Sequence, residues 1–227
     1  GLSRDEAQRR LRPLTLEVRY LYNEEVHSVW STVPALIMVS LMVSSPLLTA
    51  LGIVREKETG SIYNIYSATV SRLEFLTGKL FPYVMISAVN AMVLWLMAVF
   101  LFAVPFKGNL LLFVATSLLF VLTSTGIGLV VSLLVRTQQA ALIITVLLST
   151  VPTILFSGLV VPVSSLSQAT QFQAHLFPGM YYTNIVRGTF LKNIGPEILW
   201  TDILALGAYA TVLGTIGYRL FTKRPRA

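Results

Sequence analysis

Arg55-Glu56-Lys57-Glu58-Thr59-Gly60-Ser61, continued by Ser71-Arg72-Leu73-Glu74-Phe75-Leu76-Thr77-Gly78-Lys79, is the longest strongly charged interval in this chain, and it lies between two very apolar runs. Arg55, Glu56, Lys57, Glu58, Asn64, Arg72, Glu74 and Lys79 belong in water or against a polar partner. Between them Ile62, Ile65, Tyr66 and Thr69 fall at i, i+3, i+4 and i+7, so a short helix here carries one greasy face. Ser71 and Glu74 form an S-x-x-E capping box that starts a further helix. A short amphipathic helix, a break and a capped apolar helix read as a docking element on the aqueous side of a membrane. A solvated connecting loop is the plainer reading of the same residues.

Composition gives the setting. Of 227 residues, 55% are hydrophobic and 12% charged, and the mean hydropathy is +0.73; soluble domains carry roughly 25% charged residues. The chain reads as an all-α integral membrane protein. Its net charge of +7 need not imply nucleic acid, and none is expected as a partner. Lys and Arg collect in loops facing the cytoplasm, where they also meet anionic membrane lipid. With no Cys there is no disulfide, thiolate nucleophile or Cys-ligated metal. The chain does not begin with Met and its first residues are polar, so it is expected to start inside a longer gene product or a trimmed one.

Five apolar runs, approximately 31–54, 80–104, 110–135, 140–160 and 197–221, are each long enough to cross a ~30 Å hydrocarbon core. Before them, Leu14, Leu16, Val18, Tyr20 and Tyr22 alternate with mostly polar neighbours, the period of a half-buried strand. A lone strand is unstable, so residues 1–30 read as the end of another domain. The interval 161–196 is broken by Pro162, Pro178, Gly179, Gly188 and Gly195. Phe172, Leu176, Phe177, Met180, Tyr181 and Tyr182 there suggest short helices lying in the interface or re-entering the membrane. Counting Lys and Arg near the membrane, nine fall on the side of 55–79, 136–139 and the tail, and four on the other. Residues 1–30 and 161–196 are therefore placed outside, and the C-terminal tail in the cytoplasm.

Within the spans, Ser40, Ser44, Ser45 and Thr49 share roughly one face of the first, which Pro46 can bend. Ser124, Gly128 and Ser132 make a small-xxx-small stripe in the third. Asn90 is the most polar side chain deep in any span, and Phe156 stands near the outer end of the fourth. Ser40, Ser44, Thr49, Asn90, Ser124 and Phe156 are the candidates for a translocation path, with the first and third spans expected near the centre line of a dimer. Hydroxyls also bond their own helix backbone, and small residues also simply pack. Charge is missing deep in the spans, apart from Asp202 near the start of the last. That argues against a proton- or sodium-coupled carrier, since intramembrane charge marks such pathways. His27 and His175 stand alone, without metal-ligand spacing, and no metal site is expected. No phosphate-binding G-x-x-x-x-G-K-[ST] and no G-x-S-x-G elbow occurs, so the chain cradles no ATP itself and has no legible catalytic residues.

The run Leu48–Ser61 resembles the end of the second membrane helix in type-2 ABC transporter permeases, and the resemblance continues through Val70–Lys79. Arg19-Tyr20-Leu21-Tyr22-Asn23 looks like the strand returning from that family's extracytoplasmic domain. Arg136-Thr137-Gln138-Gln139-Ala140 resembles the short cytoplasmic turn before the fifth helix. Phe156-Ser157-Gly158, Pro178, Tyr181 and Arg187-Gly188 resemble the external re-entrant region. Glu24 and Thr69 depart from the family, standing where Pro is often found. The resemblance covers essentially the whole chain, most specifically at the charged block. It implies spans two to six of a six-span permease at 31–227, after a short remnant, 1–30, of an extracytoplasmic α/β domain. It also implies a cytoplasmic ABC ATPase, separate or fused, holding ATP and Mg, and a second permease copy or homologue. The coupling region, 55–79, would meet the ATPase through Arg55, Glu56, Lys57, Glu58, Gly60, Ile62, Ile65 and Tyr66. The function implied is ATP-driven export of a drug- or lipid-like substrate, consistent with a multidrug efflux permease in a bacterial inner membrane. An ion channel or secondary carrier, or a non-transporting assembly subunit, are the other classes these spans admit.

Overall fold

The computed structural model describes residues 28–60, 71–159 and 163–221. The strand expected at 14–22 and the amphipathic helix around Ile62, Ile65 and Tyr66 lie outside the described residues. Every regular element described is helical. Among the described residues five helices are long and apolar enough to cross a membrane, and the chain is a multi-pass membrane protein. They are α1 (Ser28–Glu58), α2 (Arg72–Leu96, continued by a π turn at Met97–Leu101), α3 (Leu110–Leu134), α4 (Gln138–Phe156) and α7 (Pro196–Leu220). Between α4 and α7 come a 3-10 turn (Val163–Ser165), α5 (Gln168–His175) and α6 (Pro178–Leu191).

The helix starts are written locally. Ser71 accepts a hydrogen bond from the Glu74 backbone N–H at 3.2 Å, and the Glu74 carboxylate accepts one from the Ser71 N–H at 2.8 Å, the reciprocal pair that S-x-x-E predicts. Asn109 caps α3 by accepting from Leu111 N–H at 2.8 Å, and Thr137 and Ser167 cap α4 and α5. Pro178 and Pro196 open α6 and α7, where a missing N–H leaves nothing unsatisfied. At its far end α1 runs one turn beyond the expected apolar span, through Arg55–Glu58. Gly60, at φ +74°, then turns the chain away, a conformation that suits glycine.

Packing places α1 and α3 at the centre. The apolar stretches of these two helices are 56% and 50% buried, against 17%, 22% and 11% for α2, α4 and α7. A Cβ added at Gly128 of α3 would lie 2.3 Å from the Pro46 carbonyl oxygen of α1, so the two backbones touch. Gly128 of the Ser124-Gly128-Ser132 stripe thus meets α1 of the same chain, the close helix contact that the spacing predicts. Spacing reveals that a helix face is made for close approach, but not which helix approaches. A second stripe, Ala141, Thr145, Ser149 and Thr153, repeats every four residues in α4, is fully buried, and packs chiefly on α1. The loop before α3 folds onto α6: Lys107 N–H donates to Phe190 O at 3.0 Å, and the bare Gly108 backbone lies against Thr189. Phe106 there meets Trp95, Phe113 and Phe190 edge-on. Eleven of the residues of α6 are buried, including Tyr182, whose hydroxyl is 2.7 Å from Ser117 and whose ring stacks on Phe120. Burial holds the Tyr182 hydroxyl well above the ordinary tyrosine range and so neutral. A broken, Gly- and Pro-rich stretch thereby yields a helix embedded in the bundle, as backbone between spans must be when it leaves water.

Candidate functional site

The charged block forms a junction. Because α1 stays helical to Glu58, consecutive side chains at its end radiate toward three other helices. Glu56 pairs with Lys79 of α2. Lys57 Nζ donates to the Ser132 carbonyl at the C-terminal end of α3, with the Val135 carbonyl at 3.5 Å. Glu58 accepts from the Gln138 backbone N–H at 2.7 Å and from the Gln138 side-chain amide, at the first turn of α4. The chemistry of each contact follows from the helix ends. Terminal carbonyls carry partial negative charge and attract an ammonium, whereas terminal N–H groups carry partial positive charge and attract a carboxylate. Thr59 closes the junction, its hydroxyl donating back to Arg55 O at 3.0 Å. The Arg55 side chain points to solvent. Three of the expected coupling residues, Glu56, Lys57 and Glu58, therefore meet partners in described helices, and Gly60 supplies the turn that follows. Ile62, Ile65 and Tyr66 lie outside the described residues.

The expected path residues divide. Asn90 Nδ2 donates to Ser44 Oγ at 3.3 Å, joining α1 to α2 in mid-span. Ser40 is half-buried nearby along the same helix. Thr49 and Ser124 are fully buried and bond their own helices, Thr49 to Ser45 O at 2.9 Å and Ser124 to Phe120 O at 2.6 Å. Phe156 is half-buried and lines an apolar groove of about 450 Å³ with Met42, Ile127, Leu148, Phe177 and Leu213. The structure thus brings Ser44 and Asn90 together, sets Thr49 and Ser124 inside the α1–α3 core, and leaves Phe156 on a groove. The sequence reading missed the α4 stripe, although Ala, Thr, Ser and Thr at four-residue intervals were there to be counted.

At the end of the bundle opposite the junction, a second cavity of about 680 Å³ is bounded by polar side chains, among them Gln171, His175, Asn184, Arg187 and Asp202. Arg187 Nη1 donates to Gly158 O at 2.9 Å, in a turn where Gly158 has φ +74°. Partial burial lowers the Arg187 pKa from its usual value. The His175 carbonyl accepts from Tyr181 Oη at 2.8 Å and Tyr209 Oη at 3.2 Å, tying α5 to α6 and α7. Burial first, and then the neighbouring Asp202, raise the Tyr181 pKa. Among the described residues, no group of three His, Asp or Glu side chains is placed to hold a metal ion.

The described residues form helices only, five of them membrane-long, with a charged junction at one end, and the chain matches a known class over nearly its whole length. The sequence model of the family described as ABC-2 family transporter protein covers residues 2–219, and the chain belongs to that family. It is 28% identical over 209 residues to the probable multidrug ABC transporter permease YbhR of Escherichia coli K12, an alignment covering 92% of this chain and 56% of YbhR. It is likewise 28% identical over 199 residues to the probable multidrug ABC transporter permease YbhS of the same strain, covering 88% of this chain and 53% of YbhS. The inner membrane transport permease YhhJ of that strain is 25% identical over 213 residues, covering 92% of this chain and 56% of YhhJ. The chain spans about half the length of the curated relatives it matches.

Proposed function

We propose that this chain is the membrane part of an ATP-driven exporter that moves a hydrophobic or amphipathic, drug- or lipid-like substrate outward. ATP and Mg sit on a cytoplasmic ABC ATPase, separate or fused, and a second permease copy or homologue completes the pore. The chain itself acts as a transport subunit, not a catalyst. Residues 55–79 and the C-terminal tail face the cytoplasm, and residues 161–196 face outside.

The observation that carries this reading is the junction at Glu56, Lys57 and Glu58, which ties the end of α1 to α2, α3 and α4 at once. A force applied to the segment after Gly60 reaches four helices through one rigid end. Coupling by a docked ATPase requires such an element with two defined positions. In the docked state the helix around Ser61–Ala68 sets Ile62, Ile65 and Tyr66 into a groove on the ATPase, while Arg55 faces the partner. Ser40, Ser44 and Asn90 line the path, Thr49 and Ser124 join it when α1 and α3 separate, and Phe156 helps close its outer end. The names of YbhR and YbhS, each a probable multidrug ABC transporter permease, agree with such a substrate class.

Purification from native membranes tests the reading. A stoichiometric ABC ATPase is expected with the chain, and Tyr66→Ala or Ile62→Asp should reduce its recovery. A partner-free complex that conducts ions would overturn it in favour of a channel.

A further inference from the structure

We propose that the cavity between Arg187 and Asp202 binds the head group of a zwitterionic amphiphile, with its phosphate or carboxylate on Arg187 and its ammonium on Asp202. The cavity lies at the end of the bundle away from Glu58, between the turn at Gly158, α5, α6 and the start of α7. Its volume of about 680 Å³ falls in the range of small-molecule sites.

Arg187 and Asp202, of opposite sign, line it without pairing to each other, and Lys192 stands on its wall as well. Arg187 makes one hydrogen bond among the described residues, to the neutral Gly158 carbonyl, and its Nε is buried without a partner. A guanidinium cannot shed its charge and presents a planar fork of donors, so a buried unmatched donor on it calls for an anionic acceptor. Asp202 lies near Asn184 and His175, but has no Lys or Arg partner among the described residues. A charged pair serving stability alone gains by meeting directly, since each ion otherwise bears its desolvation unassisted. Lining one cavity without meeting, the two fit a ligand that carries both signs. Met180, Leu191, Ile198 and Leu199 supply apolar walls between the charges, and these suit a ligand with a hydrocarbon part. A purely anionic ligand would leave Asp202 unmatched, and a purely cationic one Arg187.

The site does not depend on the exporter reading, because its occupancy is measured without ATP or a partner ATPase. The experiment is native mass spectrometry of the purified protein with dihexanoyl phosphatidylethanolamine, dihexanoyl phosphatidylglycerol or glycerophosphoethanolamine. The ethanolamine lipid is expected to bind at least tenfold more tightly than the glycerol lipid. Arg187→Gln should weaken ethanolamine-lipid binding at least tenfold, and Asp202→Asn should erase the preference between the two lipids. Equal affinity of the unsubstituted protein for both lipids would overturn the proposal, as would unchanged affinity in either variant. Glycerophosphoethanolamine competing as well as the lipid would overturn the amphiphile assignment. Should a variant fail to fold, the comparison of lipids on the unsubstituted protein decides alone.

Discussion

The Glu58 carboxylate, on the last helical residue of α1, accepts a hydrogen bond of 2.7 Å from the Gln138 backbone N–H at the first residue of α4. One helix thus caps another, and the cap is a charge matched to the N-terminal dipole. Glu58→Ala should loosen the start of α4 and leave its middle intact. Hydrogen exchange in detergent is expected to rise at residues 138–140 and stay unchanged at Thr145–Thr153. Unchanged exchange at both would mean that Thr137 alone suffices as the cap.

Lys57 is the half-buried arm of the same junction, its ammonium on the Ser132 and Val135 carbonyls at the end of α3. A hydrogen bond to a charged group contributes about 1.5–3 kcal/mol, so Lys57→Met should destabilise the bundle by about 2 kcal/mol in chemical unfolding. Arg55→Ala, two positions away but exposed, should stay within about 0.5 kcal/mol of the parent. Equal effects would show that the charge of the block matters and its geometry does not.

Glycines in the spans should respond with opposite signs. Gly128→Val drives a branched side chain into the Pro46 backbone, which cannot yield as a side chain would. Overpacking of this kind costs about 1–3 kcal/mol or more, and loss of the folded protein on gel filtration is the expected result. A Cβ at Gly207 meets nothing within 4 Å. Gly207→Ala should therefore stabilise α7 by about 0.4–1 kcal/mol through the unfolded chain, raising the melting temperature.

What the sequence made legible was local. The Ser71–Glu74 box spans four residues, and its two bonds form wherever a helix starts there. The small stripe in α3 was legible as a close contact, but its partner was not, because Pro46 lies eighty-two positions upstream of Gly128. Lys57 is the same kind of case: charge placed it at a membrane edge, yet only the fold shows that it lands on the end of α3. The burial of α6 was hidden for another reason. Pro178, Gly179 and Gly188 read as breaks, whereas Pro178 opens the helix, Gly179 lets Phe177 and Met38 approach, and Gly188 sits buried within it. The Arg187–Asp202 cavity combines a turn and three helices, and no periodicity in any one of them announces it.

Accessibility tests the path residues, since the natural chain has no Cys to interfere. Thr49 is fully buried, whereas Ser40 is partly open. In the resting protein Thr49→Cys should resist water-borne thiol reagents and Ser40→Cys should react slowly. During ATP turnover Thr49→Cys should become reactive as α1 and α3 part. Reaction at rest would contradict the closed α1–α3 contact, and silence under turnover would remove Thr49 from the path.

The central claim is that the end of α1 transmits ATP-driven motion to the bundle, and the coupling ratio tests it most directly. Substrate exported per ATP hydrolysed should be measured in vesicles for the parent, Lys57→Met, Tyr66→Ala and, as a control on the opposite face, Lys107→Ala. Loss of one interface anchor typically costs ~2 kcal/mol or more, a factor of about thirty in an equilibrium. The account predicts at least a tenfold fall in the ratio for Lys57→Met and Tyr66→Ala, with normal membrane insertion, and no change for Lys107→Ala. A parental ratio in both junction variants would contradict it and leave residues 55–79 as a connecting loop.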